Sequence, residues 1–342
     1  MSSSRSAVLG RPTPGLRSGA RRPSAGFHRL ALATGMATFA LILVGGVVRV
    51  SDSGLGCGPG GSGFHGWPFC NGDVVPGLDL NSVIEYTHRA LAGAVGIMMI
   101  ALAVMAIRRR VLIRPTVVAV GLVIAQGLLG AATVEENLEE GLVAAHLGLA
   151  MGLLALMLYV WRESREGPRA ERPEPADEPR LRILSVAAAG LVLCTVVAGG
   201  YMAGTQKYGR PDYQLGDGAH HACGKEFPTC NGDFMPFGDA RLVDIHLTHR
   251  LFMYLAVIAV GLLAAMLLRR GMKRSAHLLG GILLTQVLVG ALNVWLDEYE
   301  LLIVAHLALG TLLWAASMNA VFELRREPTR AAAGAPARAV TA

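Results

Sequence analysis

Four histidines stand out because they fall as two matched pairs inside apolar stretches: His88 with His146, and His249 with His306. Neutral imidazole is the commonest protein ligand for metals, and a polar side chain within a membrane span is costly unless it does something. Two imidazoles at one depth on neighbouring helices suit axial ligation of a haem iron held between them. Four histidines that only hydrogen-bond between helices are the plainer alternative, and the duplication of both pairs weighs against it. Zinc would want a third or fourth donor at each site. Only Glu85 in the first half and His246 in the second are obvious supplements. Arg89 and Arg250 directly follow His88 and His249. Their charge would repel a bare cation but suits the carboxylates of a porphyrin; snorkelling to the membrane interface is the simpler use of the same residues.

Glu85 lies three residues before His88, on the same helix face and one turn outward. Its counterpart before His249 is His246, which does not do the same acid–base work. A salt bridge to Arg89 or to the loop is the bland reading of Glu85; the sharper one makes the first half reactive and the second an electron relay. His246 reads as an alternative ligand or as lining for the haem edge. His28, His65, His220, His221 and His277 take solvated or interfacial roles by default.

Four of the five cysteines pair off by position, Cys57 with Cys70 and Cys223 with Cys230, each pair in one long loop between apolar segments. Outside the membrane thiols meet an oxidising environment, so one disulfide per loop is expected. Pinning a lid over a helix bundle is reason enough for both; thiol–disulfide chemistry near the histidines is the alternative, evenly weighed for Cys57/Cys70 and disfavoured for Cys223/Cys230. Cys194, within the fifth apolar run, reads as a small buried residue.

The elements that must position these groups are legible in composition. The chain has 342 residues, 53% hydrophobic and 16% charged, where a soluble domain carries about 25% charged. Apolar runs of membrane-crossing length fall at 28–49, 83–107, 112–133, 141–161, 183–205, 242–268, 275–294 and 300–322. Both histidines of a pair then sit about five residues inside the same boundary, roughly 8 Å deep. Most of the 31 Lys and Arg residues lie in 1–29, 108–114, 162–182, 269–274 and after 322. This alternation places both termini in the cytoplasm and explains the net charge of +6 without nucleic acid.

An internal repeat organises the chain. WPFCNGDVVP at 67–76 matches FPTCNGDFMP at 227–236, EYTHR at 85–89 matches HLTHR at 246–250, QGLLGA at 126–131 matches QVLVGA at 286–291, and LVAAHLGLAMG at 142–152 matches LIVAHLALGTL at 302–312. The offset is 160 or 161 throughout. The expected fold is therefore an all-α integral membrane protein, with eight transmembrane helices as two tandem four-helix bundles related by a pseudo-twofold axis along the membrane normal. Residues 1–27 are expected to be a disordered cytoplasmic tail, 28–161 the first repeat, 162–182 a cytoplasmic linker, 183–322 the second repeat and 323–342 a second disordered tail.

Taken with GGVVRVSDSGLGC at 45–57, WPFCNG, EYTHR, QGLLGAATV at 126–134 and AAH at 144–146, the chain resembles the heme A synthase family over about residues 30–322. The stretch GPGGSGFHG departs from that pattern, since the family usually spaces its first cysteine pair more closely. The resemblance implies oxidation of a ring methyl of heme O to the formyl group of heme A, through an alcohol. It implies that the first half receives the substrate, with His88 and His146 facing its iron and Glu85 as the catalytic carboxylate. His249 and His306 would ligate a haem b cofactor. A plasma-membrane location with haem sites near the extracytoplasmic face follows, as do a heme O synthase (farnesyltransferase) and cytochrome oxidase assembly as partners, alongside membrane lipid. The main rival is a two-haem membrane cytochrome b-type electron-transfer protein. A transporter predicts broken helices at mid-membrane, whereas the polar groups here crowd one end.

Overall fold

A computed structural model describes residues 23–165, 179–206, 218–296 and 300–324. Regular structure among them is helical: α1 (Ala25–Val50), α2 (Leu80–Arg109), α3 (Ile113–Glu135), α4 (Glu140–Glu163), α5 (Pro179–Gly204), α6 (Arg241–Arg269), α7 (Lys273–Trp295) and α8 (Glu300–Leu324). All eight are long and apolar enough to cross a membrane, and they match the runs read from the sequence to within a few residues. The expected tails and linker fall largely outside the described residues; their inner edges belong to helices, with α1 starting at Ala25 and α4 reaching Glu163.

Local chemistry sets the ends. The Ser24 side chain accepts from Phe27 N–H at 3.2 Å to open α1, and Asp79 accepts from the N–H groups of Asn81 and Ser82 to open α2. Such caps satisfy donors that have no partner within the helix. Arg108 and Arg109 close α2, where positive charge complements the carbonyl end of the helix dipole.

α1 packs on α2, α2 on α3, α3 on α4 and α4 back on α1, closing a four-helix ring that α5 to α8 repeat. The rings meet along α1–α8, α4–α5 and α4–α8. Exchanging the halves maps α1–α8 onto α4–α5 and α4–α8 onto itself, which is consistent with the twofold expected from the repeat.

Tight packing concentrates toward the end of the bundle where α1 begins and α8 ends. Phe27, Met99, Leu102, Met157 and Val160 form one cluster, and Val260, Leu263, Leu267, Leu279 and Met151 belong to another that spans the seam between the rings. In lipid these side chains gain little from desolvation, so their contribution is close contact and the absence of voids. Trp314 ties the seam by donating from its indole nitrogen to the Met151 carbonyl at 2.9 Å. The histidines lie at the opposite end, beneath the two long loops.

Candidate functional site

Each long loop is built on the same four residues, Cys-Asn-Gly-Asp. Asn and Gly both take positive φ in both copies (Asn71 54°, Gly72 86°; Asn231 54°, Gly232 89°), the conformation that a two-residue hairpin of the mirror-image type demands. Cys70 and Asp73 exchange backbone hydrogen bonds at 2.9 and 3.0 Å, and Cys230 and Asp233 at 2.8 and 3.2 Å. Both expected disulfides are present, Cys57–Cys70 and Cys223–Cys230. The long stretch between Cys57 and Cys70 is accommodated by the 3-10 turn Gly63–His65.

The first loop lies directly against the start of α2, and Gly56 permits it. A Cβ at Gly56 would stand 2.4 Å from the backbone carbon and oxygen of Asn81, so no larger residue fits. The approach lets Ser82 Oγ donate to the Gly56 carbonyl at 2.6 Å and aims the next N–H, that of Cys57, at Glu85 Oε2 at 2.8 Å. Glu85 is buried at 3% exposure, and its other oxygen pairs with Arg89. Arg89 also donates to the carbonyls of Gly66 (2.7 Å) and Phe69 (2.9 Å). The carboxylate is thus fixed jointly by the disulfide loop and by a guanidinium that the same loop holds.

The second half keeps this framework and inverts its polarity. His246, in the place of Glu85, binds the Ala219 carbonyl through Nδ1 at 2.7 Å. A carboxylate accepts from its loop; this imidazole donates to it. Arg250, 3% exposed, donates to the carbonyls of Glu226 (2.7 Å) and Thr229 (2.8 Å). Both arginines expected to face porphyrin carboxylates therefore clamp loop to helix.

The four histidines share a setting that sequence reading missed: each imidazole rests against a glycine of the preceding helix. A Cβ on Gly45 would come within 3.3 Å of His88 Nε2; on Gly130, 3.1 Å of His146 Cε1; on Gly199, 3.1 Å of His249 Cε1; on Gly290, 2.8 Å of His306 Cε1. The signal was present, as Gly130 and Gly290 lie in the repeated QGLLGA and QVLVGA, and Gly45 and Gly199 each open a Gly-Gly pair. His249 Nδ1 sits 3.0 Å from the Thr195 carbonyl, which makes Nδ1 the donor and leaves the Nε2 lone pair to face a ligand. His306 Nε2 lies 3.3 Å from Gln286 Nε2, and an amide nitrogen only donates, so this Nε2 accepts from Gln286 and the proton sits on Nδ1, which has no partner. Gln126, the counterpart of Gln286, donates to the His146 carbonyl at 2.9 Å.

The structure corrects the expectation for Cys194 and adds detail elsewhere. His220, expected in a solvated or interfacial role, is half-buried, and its Nδ1 is buried without a partner. Its pKa is pushed down to about 3, first by burial and then by His246, His249, Arg49 and His221. The 3-10 turn Ala219–Cys223 that carries it packs against α6 and α5. Cys194, expected to be buried, is exposed on the surface of α5, where lipid satisfies an apolar thiol as well as protein does. His28 stacks on Trp161 with ring centres 6.0 Å apart and bonds Ser164 at 2.9 Å. Arg49 was not singled out, yet its guanidinium grips the carbonyl end of α5 at Ala203, 3.1 Å from Nε, and at Gln206.

These features fit haem. Among the described residues no three His, Cys, Asp or Glu side chains converge as a metal-ion site, which disfavours the zinc alternative. The imidazoles of His88 and His146 are near enough to interact electrostatically, as are those of His249 and His306. Buried polar atoms without partners cluster around them: His146 Nδ1, His306 Nδ1, Gln126 Oε1 and Gln286 Oε1. Buried polar groups in proteins are normally satisfied, so these four atoms, on the histidines and on the glutamines that touch them, are compatible with a polar-edged ligand there.

A family model described as cytochrome oxidase assembly protein (COX15-CtaA) matches residues 28–318. The chain is similar to the Heme A synthase of Halalkalibacterium halodurans, 30% identical over 229 residues, which cover 64% of this chain and 70% of that protein. It is similar to that of Shouchella clausii, 30% identical over 231 residues, covering 66% and 70%. The Heme A synthase of Symbiobacterium thermophilum is 30% identical over 234 residues, covering 64% and 68%.

Proposed function

We propose that this chain, which belongs to the COX15-CtaA family of cytochrome oxidase assembly proteins, works as a heme A synthase, a multi-pass membrane oxidoreductase that converts a ring methyl of heme O to a formyl group through an alcohol. The observation that carries the reading is an asymmetry within a duplicated frame. Both halves have a glycine-backed histidine pair beneath a disulfide loop, but only the first puts a buried carboxylate, Glu85, one turn from a histidine.

In this reading residues 28–161 form the substrate half, with His88 and His146 facing the iron of heme O. Residues 183–322 form the half that keeps haem b, ligated by His249 and His306. Haem b, when bound, supplies a one-electron redox centre. Glu85 acts over the porphyrin edge. Cys57 N–H and Arg89 each engage one of its oxygens, and a carboxylate has further lone pairs to offer. With water as the oxygen source the conversion balances as –CH3 + H2O → –CHO + 4 e⁻ + 4 H⁺: Glu85 accepts a proton and stabilises the positive charge that develops at the methyl carbon, and the electrons pass to a one-electron acceptor outside this chain. Arg89 holds the carboxylate in place. The farnesyl chain of the substrate stays in lipid, which accounts for a site inside the membrane. The histidine end faces outward from the plasma membrane and both termini lie in the cytoplasm, as the basic segments direct. Heme O synthase is the supplier of substrate, and cytochrome oxidase assembly the consumer of product.

The test is cellular. The chain is expressed beside a heme O-forming farnesyltransferase in a host that makes no heme A, and total haems are separated and weighed by mass. Heme A is expected with the parent sequence and absent with an empty vector. Heme O unchanged by the chain would overturn the proposal.

A further inference from the structure

Adjacent residues on a helix point about 100° apart, so a Gly-Gly step presents two bare faces to two different neighbours. On α1, Gly45 faces His88 of its own half. The next residue, Gly46, faces across the seam: a Cβ there would stand 2.6 Å from Leu307 Cδ2, and Leu307 directly follows His306 of the other half. On α5 the same arrangement runs the other way. Gly199 faces His249 of its own half, while Gly200 faces Leu147: a Cβ there would stand 3.0 Å from Leu147 Cδ2, 3.6 Å from its Cβ and 3.4 Å from the Cα of Ala144. Leu147 directly follows His146 of the first half. Leu147 and Leu307 are both packed against the central apolar cluster at the seam, so neither is a free side chain that happens to lie nearby.

We propose that Gly45–Gly46 and Gly199–Gly200 are reciprocal positioning pairs: each seats one histidine of its own half and the helical turn carrying the facing histidine of the other half. The two porphyrin sites then keep one mutual distance and orientation, and a displacement at one is felt at the other. The inference rests on the reading that these four histidines hold porphyrin irons. It predicts that neighbouring glycines control different sites, and that the second glycine of each pair controls the site in the half to which it does not belong.

The experiment uses the full chain purified with its pigments, the parent beside Gly46→Ala and Gly200→Ala, and reads haem b and heme O content by mass together with the low-spin signal of haem b. Gly46→Ala, although in the first half, is expected to shift the haem b signal and weaken haem b retention roughly tenfold, in the range of a modest overpacking cost, with heme O content unchanged. Gly200→Ala, although in the second half, is expected to weaken heme O retention to a similar extent and leave the haem b signal as in the parent. Leu307→Ala placed in the Gly46→Ala background makes room for the new methyl and should restore haem b, a recovery that general loss of fold does not produce. Effects confined to each glycine's own half, no effect on either pigment, or no recovery in the double variant would overturn the proposal. The underlying ligand reading fails separately: full haem b in both His249→Ala and His306→Ala refutes that reading whatever the glycines do.

Discussion

Glu85→Gln separates chemistry from architecture at the residue on which the proposed reaction turns. Glu85 and Arg89 are paired with side-chain exposures of 4% and 16%, and the carboxylate also accepts from Cys57 N–H at 2.8 Å. Removing one partner of a buried ion pair outright costs about 3–5 kcal/mol. Here Arg89 keeps the carbonyls of Gly66 and Phe69, and the Gln oxygen still accepts one hydrogen bond. The loss then reduces to charge-assisted bonds replaced by neutral ones, about 1–2 kcal/mol. Such a variant should assemble, melt slightly early, and purify with heme O in place. If the carboxylate takes a proton from the reacting methyl, heme A formation should fall by roughly 100-fold or more, the scale of general acid–base catalysis. Heme A measured by mass per folded protein is the assay. Heme A at the parental level, with the early melt still present, would refute the reasoning and leave Glu85 as a loop anchor. Loss of all first-half porphyrin would place it in binding and not in turnover.

Further outcomes follow from the loops. Non-reducing peptide maps should show Cys57–Cys70 and Cys223–Cys230 as separate bonds. Opening Cys223–Cys230 by Ser substitution should lower stability by about 2–4 kcal/mol with turnover per folded molecule retained. Opening Cys57–Cys70 should also lower turnover, because Cys57 supplies the N–H that fixes Glu85. Equal turnover in both variants would contradict this division. His220 is held near a pKa of about 3, below the value of about 6.5 for an unfolded chain. The unfolded chain then binds the proton that the fold refuses, so stability is lost as pH falls from about 6.5 toward 3 and is unaffected above. His220→Gln should flatten melting temperature against pH across that window, and an unaltered slope would show that the imidazole is not protected.

The helices were legible because membrane crossing demands about twenty apolar residues, and that demand leaves little freedom. The histidines were legible because duplication repeats CNG, THR and AH at a nearly fixed spacing. The Gly-Gly pairs escaped for a related reason. They recur at an offset of 154, because the loop after α5 is longer before its first cysteine than the loop after α1, so they drop out of register with the rest. The bond from Cys57 N–H to Glu85 joins residues 28 apart through a loop whose path depends on Gly56, and no periodicity encodes such a path. Arg89 and Arg250 were read from charge and position, as partners of porphyrin carboxylates or as interface residues; the loop carbonyls that also take their N–H groups come from a loop path that spacing does not encode. His220 was given a solvated or interfacial role because it lies in a loop, and the 3-10 turn that half-buries it is too short to announce itself in sequence.

Extraction of the pigments from the purified chain, with each haem identified by mass and counted per protein, bears most directly on the claim that one half holds a resident cofactor and the other a reacting porphyrin. The account predicts haem b together with heme O or heme A in the parent, haem b lost from His249→Ala and His306→Ala, and heme O accumulating in Glu85→Gln. Two equivalents of haem b with no heme O or heme A, unaltered by Glu85→Gln, would contradict it and identify a two-haem electron carrier.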